Sequence, residues 1–213
     1  MAKIDDSVKK KVPELRFKGF ADEWEQRKLG DVCKQLTRTI DPQTRPNDIF
    51  AEYSMPAYDS GMKPSIVYGL TMNSTRKIID KSCLLINKLN VRKKRIWYIK
   101  EPTGNAVCSA EFIPLYSEDI DLPFLSFVVS RDSFTKYLED CSSGSSNSQK
   151  RVTPDIIIGA KVFLPSKDEQ RELGIYFQKI NNLITLHQRK CEKYKMIKQG
   201  MMEDLLTGKV RLK

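Results

Sequence analysis

Apolar and polar positions along this chain first alternate, then cluster, then settle into a long helical rhythm. Trp24, Gln26 and Lys28 alternate as on an edge strand, and Leu29, Val32, Cys33 and Leu36 follow at helical spacing, which predicts a short helix. Between residues 40 and 75 the pattern is interrupted by Pro42, Pro46, Pro56 and Pro64, which predicts loops with short strands. Three β-branched or aromatic runs, KIIDKSCLLINKL, RIWYIK and NAVCSAEFIPLY, then fill residues 76–116 and predict the β-rich heart of a domain. DLPFLSFVVSRDSFTKYLED reads as one helix, with Asp121 as its cap, Pro123 in its first turn, and Phe124, Phe127, Val128, Phe134 and Leu138 on one broad face. CSSGSSNSQKRVTPD is a polar loop of small residues, and DIIIGAKVFLP supplies a helical turn followed by a last strand.

The final segment differs in kind. Ser166 to Glu169 form an S-x-x-E capping box that puts Asp168 and Glu169 at the favourable end of a helix dipole, and no proline follows Pro165. Leu173, Phe177, Ile180, Ile184, His187, Cys191, Tyr194, Met201 and Leu205 fall on one stripe, and Gly208 stands at the C-terminal cap position. About 40 residues at ~1.5 Å each make a helix roughly 60 Å long, more than the preceding domain can cover. The stripe needs a second helix, and no other of comparable length is predicted, so an intermolecular coiled coil through residues 167–206 is expected. The seam is imperfect: His187 occupies a core position, and Gly200 costs ~1 kcal/mol relative to alanine in a helix interior.

Charge adds a partner class. The 213 residues carry 37 Lys and Arg against 27 Asp and Glu, a net +10, and the excess is spread through folded-looking sequence rather than held in a tail. Such a surface suits contact with a polyanion through a shaped face. No apolar run approaches the ~18 residues of a membrane span, and the N-terminus lacks the apolar core of a secretory signal. Cys33, Cys83, Cys108, Cys141 and Cys191 are an odd count without a CxxC pair, which reads as reduced thiols in a cytoplasmic protein.

Enzyme chemistry is poorly provided for. His187 is the one histidine, it lies in the middle of the long helix, and a Ser–His or Cys–His nucleophilic site would require it as base. One histidine and scattered cysteines offer no paired zinc ligands. No two glycines stand two apart, which excludes GxGxxG, and GxxxxGK is also missing. An Asn-Pro-Pro-aromatic tetrapeptide and a [DE]-x-K signature are absent as well. Together these absences favour a non-catalytic protein with no metal site, although an unfamiliar DNA-modifying enzyme, or a coiled-coil adaptor for RNA or an acidic protein, stays open.

Candidate DNA contacts are easier to name. Residues 88–100, KLNVRKKRIWYIK, gather Lys88, Arg92, Lys93, Lys94, Arg95 and Lys100 beside Trp97 and Tyr98, and a turn between two strands would concentrate that charge at one tip. Arg76 and Lys77 form a second, weaker site. The polar loop offers Ser145, Ser146, Asn147, Ser148 and Gln149 followed by Lys150 and Arg151, side chains suited to base edges and backbone oxygens. Lysines guarding a sheet edge and a flexible serine linker are the plainer readings of the same residues.

Both ends of the chain carry a resemblance. PELRFKGFADEWEQRKLGDV at 13–32 resembles the opening of specificity subunits of type I restriction–modification systems. IIIGAKVFLPSKDEQRELGIYFQKINNLITLHQRK at 156–190 resembles the helical region that follows each target-recognition domain in that family, in the LP before the helix, the Glu169-Gln170 pair and the stretch from Ile180 to Lys190. The ending LLTGKVRLK is also family-like, whereas residues 33–155 resemble no particular member. The resemblance implies an α/β recognition domain (residues 1–165, with an N-terminal tail at 1–12) and a conserved spacer helix with its tail (166–213) that forms an antiparallel coiled coil. It implies sequence-specific reading of one half of a bipartite double-stranded DNA target, with no catalysis in this chain. S-adenosylmethionine, ATP and Mg are then expected on the modification and restriction subunits. Family members usually hold two recognition domains and two helical regions, so this chain resembles a half-subunit that completes itself as a homodimer.

Overall fold

Chain order sorts the elements into layers. β1 (Glu25–Lys28) runs straight into the one-turn helix α1 (Leu29–Val32), and β2 (Lys34–Gln35) follows at once. The helix expected over residues 29–36 is cut short because a sheet claims the backbone beyond Cys33: the Leu36 N–H donates to the Pro114 carbonyl at 3.0 Å. Residues 40–75 are more regular than their prolines suggest, with β3 (Thr39–Ile40), β4 (Ile49–Tyr53), α2 (Met55–Asp59) and β5 (Ser65–Tyr68). Pro42 and Pro56 sit in the first turn of a 3-10 turn and of α2, where a missing N–H costs nothing, so β4 between them is left intact.

The three runs of residues 76–116 become β6 (Arg76–Ile78), β7 (Cys83–Asn87), β8 (Ile96–Ile99), β9 (Asn105–Cys108) and β10 (Phe112–Tyr116). The single helix expected next is two, α3 (Leu122–Val129) and α4 (Asp132–Asp140), parted where Arg131 adopts extended backbone. Asp121 caps α3 by accepting from the Phe124 N–H at 2.7 Å. Then come α5 (Pro154–Gly159), β11 (Lys161–Leu164) and the 40-residue α6 (Lys167–Leu206). The computed structural model describes residues 13, 15–144 and 149–209.

A four-stranded sheet in the order β2-β10-β7-β8 packs on a five-stranded sheet in the order β3-β6-β9-β4-β5, and β1 pairs antiparallel with β11. Cys83, Leu85, Trp97, Ile99 and Phe112 meet Ala51, Tyr53, Ala106 and Cys108 between the sheets. The alternate residues Leu84, Ile86, Ile113 and Leu115 face the other way, into a core shared with α1, α3, α4 and α5. Buried on both faces, β7 reads as an unbroken apolar run rather than an alternation.

The chain divides into two units, one ending at Gly174 and the other beginning at Ile175, so the division falls inside α6 rather than at the expected residue 165. In the first unit, Gln170 accepts from the Asp121 N–H at 3.1 Å and donates to the Pro165 carbonyl at 2.9 Å. The expected capping box is half made. The Glu169 N–H reaches Ser166 Oγ at 3.5 Å, but the Glu169 carboxylate is taken by the Arg16 fork at 2.8 and 2.5 Å. Gly174 is required by closeness: a Cβ there would stand 2.7 Å from Asp121 Oδ1.

In the second unit the stripe is laid out as expected at alternating steps of four and three, with Lys198 filling the gap between Tyr194 and Met201. Phe177, Ile184, His187, Cys191, Tyr194 and Met201 are exposed, and Ile180 and Leu205 are half-buried. Tyr176, Leu183 and Ile197 flank the ladder and are exposed too, which widens the apolar face. Leu173 departs from the expectation. It belongs to the first unit and packs against that unit's core, so its surface is already partly spent.

Candidate nucleic-acid interface

The basic segment is the connection of the β7–β8 hairpin, as its composition suggests, and its backbone is fixed in detail. Asn87, buried at the end of β7, takes the Leu89 N–H at 3.0 Å and gives its amide to the Leu89 carbonyl at 2.6 Å. A 3-10 turn over Val91–Lys93 follows, flanked by Asn90 and Lys94 in left-handed conformation at φ +52° and +45°. A lysine at positive φ persists only when its surroundings hold it there. Here the Lys94 ammonium pairs with Asp132, and Arg92 pairs with Glu139, both carboxylates being on α4.

The polar loop closes onto this turn. Ser143 and Arg151 exchange two backbone hydrogen bonds at 3.0 and 2.8 Å, the Asn90 N–H donates to the Lys150 carbonyl at 2.9 Å, and the Val152 N–H donates to the Lys88 carbonyl at 3.0 Å. Gly144, at φ +146°, makes the closure possible, since a Cβ there would lie 2.9 Å from the Gln149 carbonyl oxygen. The Lys88 N–H reaches the Glu111 carbonyl at 2.8 Å, and Arg151 Nη2 rests on Glu111 Oε1 at 2.8 Å. Two segments some fifty residues apart in the chain thus form one surface. It presents Lys88 and Lys150 half-buried, and Arg92, Lys93 and Arg151 exposed. Ser145, Ser146, Asn147 and Ser148 lie outside the described residues, while Gln149 is exposed beside them.

Lys77 joins this end of the domain. Its ammonium donates to the Phe112 carbonyl at 3.3 Å. Burial pushes its pKa below the ordinary lysine range, and the nearby Lys88 charge pushes it the same way.

Two expected contacts are corrected. Arg95 is 7% exposed and forks onto Asp59 of α2, Nε to Oδ1 at 2.8 Å and Nη2 to Oδ2 at 2.6 Å. That fork ties β8 to α2 and holds the Asp59 carboxyl below its usual range, so the guanidinium is not presented to a ligand. Arg76 is spent likewise, on Glu52 at 2.7 Å and the Ser74 carbonyl at 2.8 Å. Trp97 is also internal, edge-on to Tyr53 and Tyr58. The carboxylates that sort the cations are not apparent from sequence: Glu52, Asp59, Glu111, Asp132 and Glu139. Nothing in their local pattern marks them, since each meets its partner only through the fold.

Among the described residues no group of three or more His, Cys, Asp or Glu side chains is arranged to hold a metal ion, and no helix is long and apolar enough to cross a membrane. Burial alone pushes the Cys33 thiol up to about 12, and with the neighbouring Lys77, Arg76 and Lys88 charges opposing it, burial still pushes Cys108 to about 12.

Comparison with known proteins agrees with this architecture. Residues 21–195 match the family model described as the type I restriction modification DNA specificity domain. The specificity subunit of type I restriction enzyme MjaVIII from Methanocaldococcus jannaschii is 31% identical over 97 residues, which cover 46% of this chain and 22% of that protein. The HindI specificity subunit from Haemophilus influenzae is 23% identical over 184 residues, 85% of this chain and 40% of that protein. The crystal structure of the HsdS subunit from Thermoanaerobacter tengcongensis superposes with a TM-score of 0.66 at 20% identity, over 90% of this chain and 49% of that one. A chain from a structure concerned with complex assembly and conformational transition of the type I R-M system gives a TM-score of 0.68 at 20% identity, over 86% and 49%. The chain therefore spans less than half the length of these relatives, and at such identity the solved structures establish a shared fold alone. Because the family model runs through the recognition domain and on into the long helix, the chain belongs to the type I restriction modification DNA specificity domain family.

Proposed function

We propose that this chain reads one half of a bipartite double-stranded DNA target for a type I restriction–modification complex. The observation that carries the reading is the joining of the 88–94 turn to the stem of the 142–151 loop, which puts cations from two distant segments on one surface. Lysines there neutralise phosphates, and an arginine fork reaches a base edge. The apolar face of α6 pairs antiparallel with a second copy, so that two identical domains face the duplex with opposite polarity and read a palindromic pair of half-sites. The same helix docks the modification subunits. Methyl transfer and cleavage belong to the modification and restriction subunits, which carry S-adenosylmethionine, ATP and Mg, and this chain has no catalytic part.

Co-expression with candidate modification subunits, followed by mapping of genomic methylation, tests the proposal. Adenine methylation at a bipartite palindrome that appears only when this chain is present is the expected result. Methylation independent of the chain, or methyl transfer by the purified chain alone, overturns it.

A further inference from the structure

The arginines of the first unit fall into two groups according to how their N–H donors are spent. Arg16 and Arg95 each place Nε and Nη2 on the two oxygens of one carboxylate, and Arg76 divides its donors between Glu52 and Ser74. All three are largely buried, and their forks are closed. Arg92 and Arg151 of the interface differ: each has one carboxylate contact, Arg92 Nε to Glu139 and Arg151 Nη2 to Glu111 at 2.8 Å, and their side chains stay 51% and 60% exposed. Most of the planar donor edge of Arg151 is left outward.

What stands behind Arg151 is unusual. Glu111 Oε2 is buried and has no hydrogen-bond partner among the described residues, so Arg151 is the one cation paired with this carboxylate there. A half-buried carboxylate with one oxygen shut off from solvent keeps its counter-charge, because releasing it would leave that oxygen without a partner. Both ends of the pair are also pinned by main chain. Glu111 takes the Lys88 N–H, and Arg151 bridges to Ser143. The guanidinium is thus neutralised from behind and held at one nitrogen, which leaves its other donors free to face a ligand. Those are poor properties for a phosphate clamp, which works through unbalanced charge, and good ones for reading a base, which needs a planar donor pair held in one place. The base edge that matches is guanine O6 and N7 in the major groove.

We propose that Glu111 is a positioning residue that makes Arg151 a reader of a guanine edge. The proposal rests on the DNA-reading function above. The test measures binding by fluorescence anisotropy at several salt concentrations, using a duplex that carries the target found by methylation mapping and an equal-length duplex with the half-sites scrambled. Glu111→Gln removes one negative charge, so it binds the scrambled duplex at least as tightly as the unaltered chain, with an equal or steeper salt slope. Its preference for the target falls roughly 5- to 150-fold per half-site, the span of one bidentate base contact. Arg151→Lys keeps charge and salt slope and loses preference to the same extent. A folded Glu111→Gln protein with undiminished preference overturns the proposal, and so does one that loses affinity for both duplexes in proportion. Should Glu111→Gln fail to fold, Arg151→Lys decides, and undiminished preference there overturns it. If the unaltered chain itself prefers neither duplex, the DNA-reading function fails and takes this proposal with it.

Discussion

Replacing Ile184 with glutamine is the sharpest probe of the helix seam. Ile184 stands on the apolar ladder of α6 and is 48% exposed in the single chain, so about half of its surface is available for a partner to cover. Complete burial of such a side chain is worth about 1.5–3 kcal/mol, so the available half is worth about 0.7–1.5 kcal/mol per copy. A homodimer carries the change twice, which gives about 1.5–3 kcal/mol, or roughly a 10- to 150-fold rise in the dimer Kd. Glutamine has a higher helix propensity than isoleucine, so the helix itself is preserved. Sedimentation equilibrium between 1 and 100 µM (roughly the window in which such a shift is visible) measures the change. Met196→Gln is the control, because that residue is 73% exposed but lies two positions from Lys198 of the ladder, on the opposite side of the helix. Ile184→Gln dimerising as tightly as the unaltered chain refutes the reasoning, and so does an equal loss from Met196→Gln.

Three further outcomes are expected. Gly174→Ala drives a Cβ against Asp121 Oδ1 and dislodges the cap of α3, a cost of about 0.5–2 kcal/mol that offsets the roughly 1 kcal/mol alanine gains in helix propensity; calorimetry showing a Tm raised by the full ~2–4 °C of that gain contradicts the packing described. Arg95→Ala lowers stability without changing the salt slope of duplex binding, whereas Lys93→Ala lowers that slope by about 0.9. The Asp59–Arg95 contribution is present above the ordinary carboxylate range and is lost as pH falls through the depressed Asp59 pKa, so Arg95→Ala also removes that part of the acid sensitivity in pH-dependent melts. In native alkylation read by mass spectrometry near neutral pH, Cys33, Cys83 and Cys108 stay unmodified because burial raises their pKa, while Cys141 and Cys191 react. Cys191 becomes protected at concentrations where the seam is paired, and labelling independent of concentration argues against pairing there.

What could be read from the sequence depended on how local the cause was. The rhythm of α6 and the apolar run of β7 are set by one face or two faces of a single element, so their pattern is visible in a short window. The region before residue 75 was obscured because prolines that look like interruptions sit in first turns, where they do no harm. The hairpin charge of residues 88–95 was legible as charge. Which cations remain open was not, because that is decided by Asp59, 36 residues from Arg95, and by Asp132, 38 residues from Lys94. A buried fork and an open one are the same letter in a sequence.

The stem of the polar loop has one more consequence. Its backbone anchors, Ser143 to Arg151 and Lys150 to Asn90, sit at the base, on a hairpin whose core lies in two packed layers. Provided these anchors and Gly144 are kept, added chain length between Gly144 and Lys150 has little effect on the sandwich, since loop closure costs only about 0.6 kcal/mol for each doubling of length. A graft of foreign residues between Gly144 and Lys150 would therefore leave a folded protein, and under the function proposed above it makes this loop the place to write new sequence preferences into the scaffold.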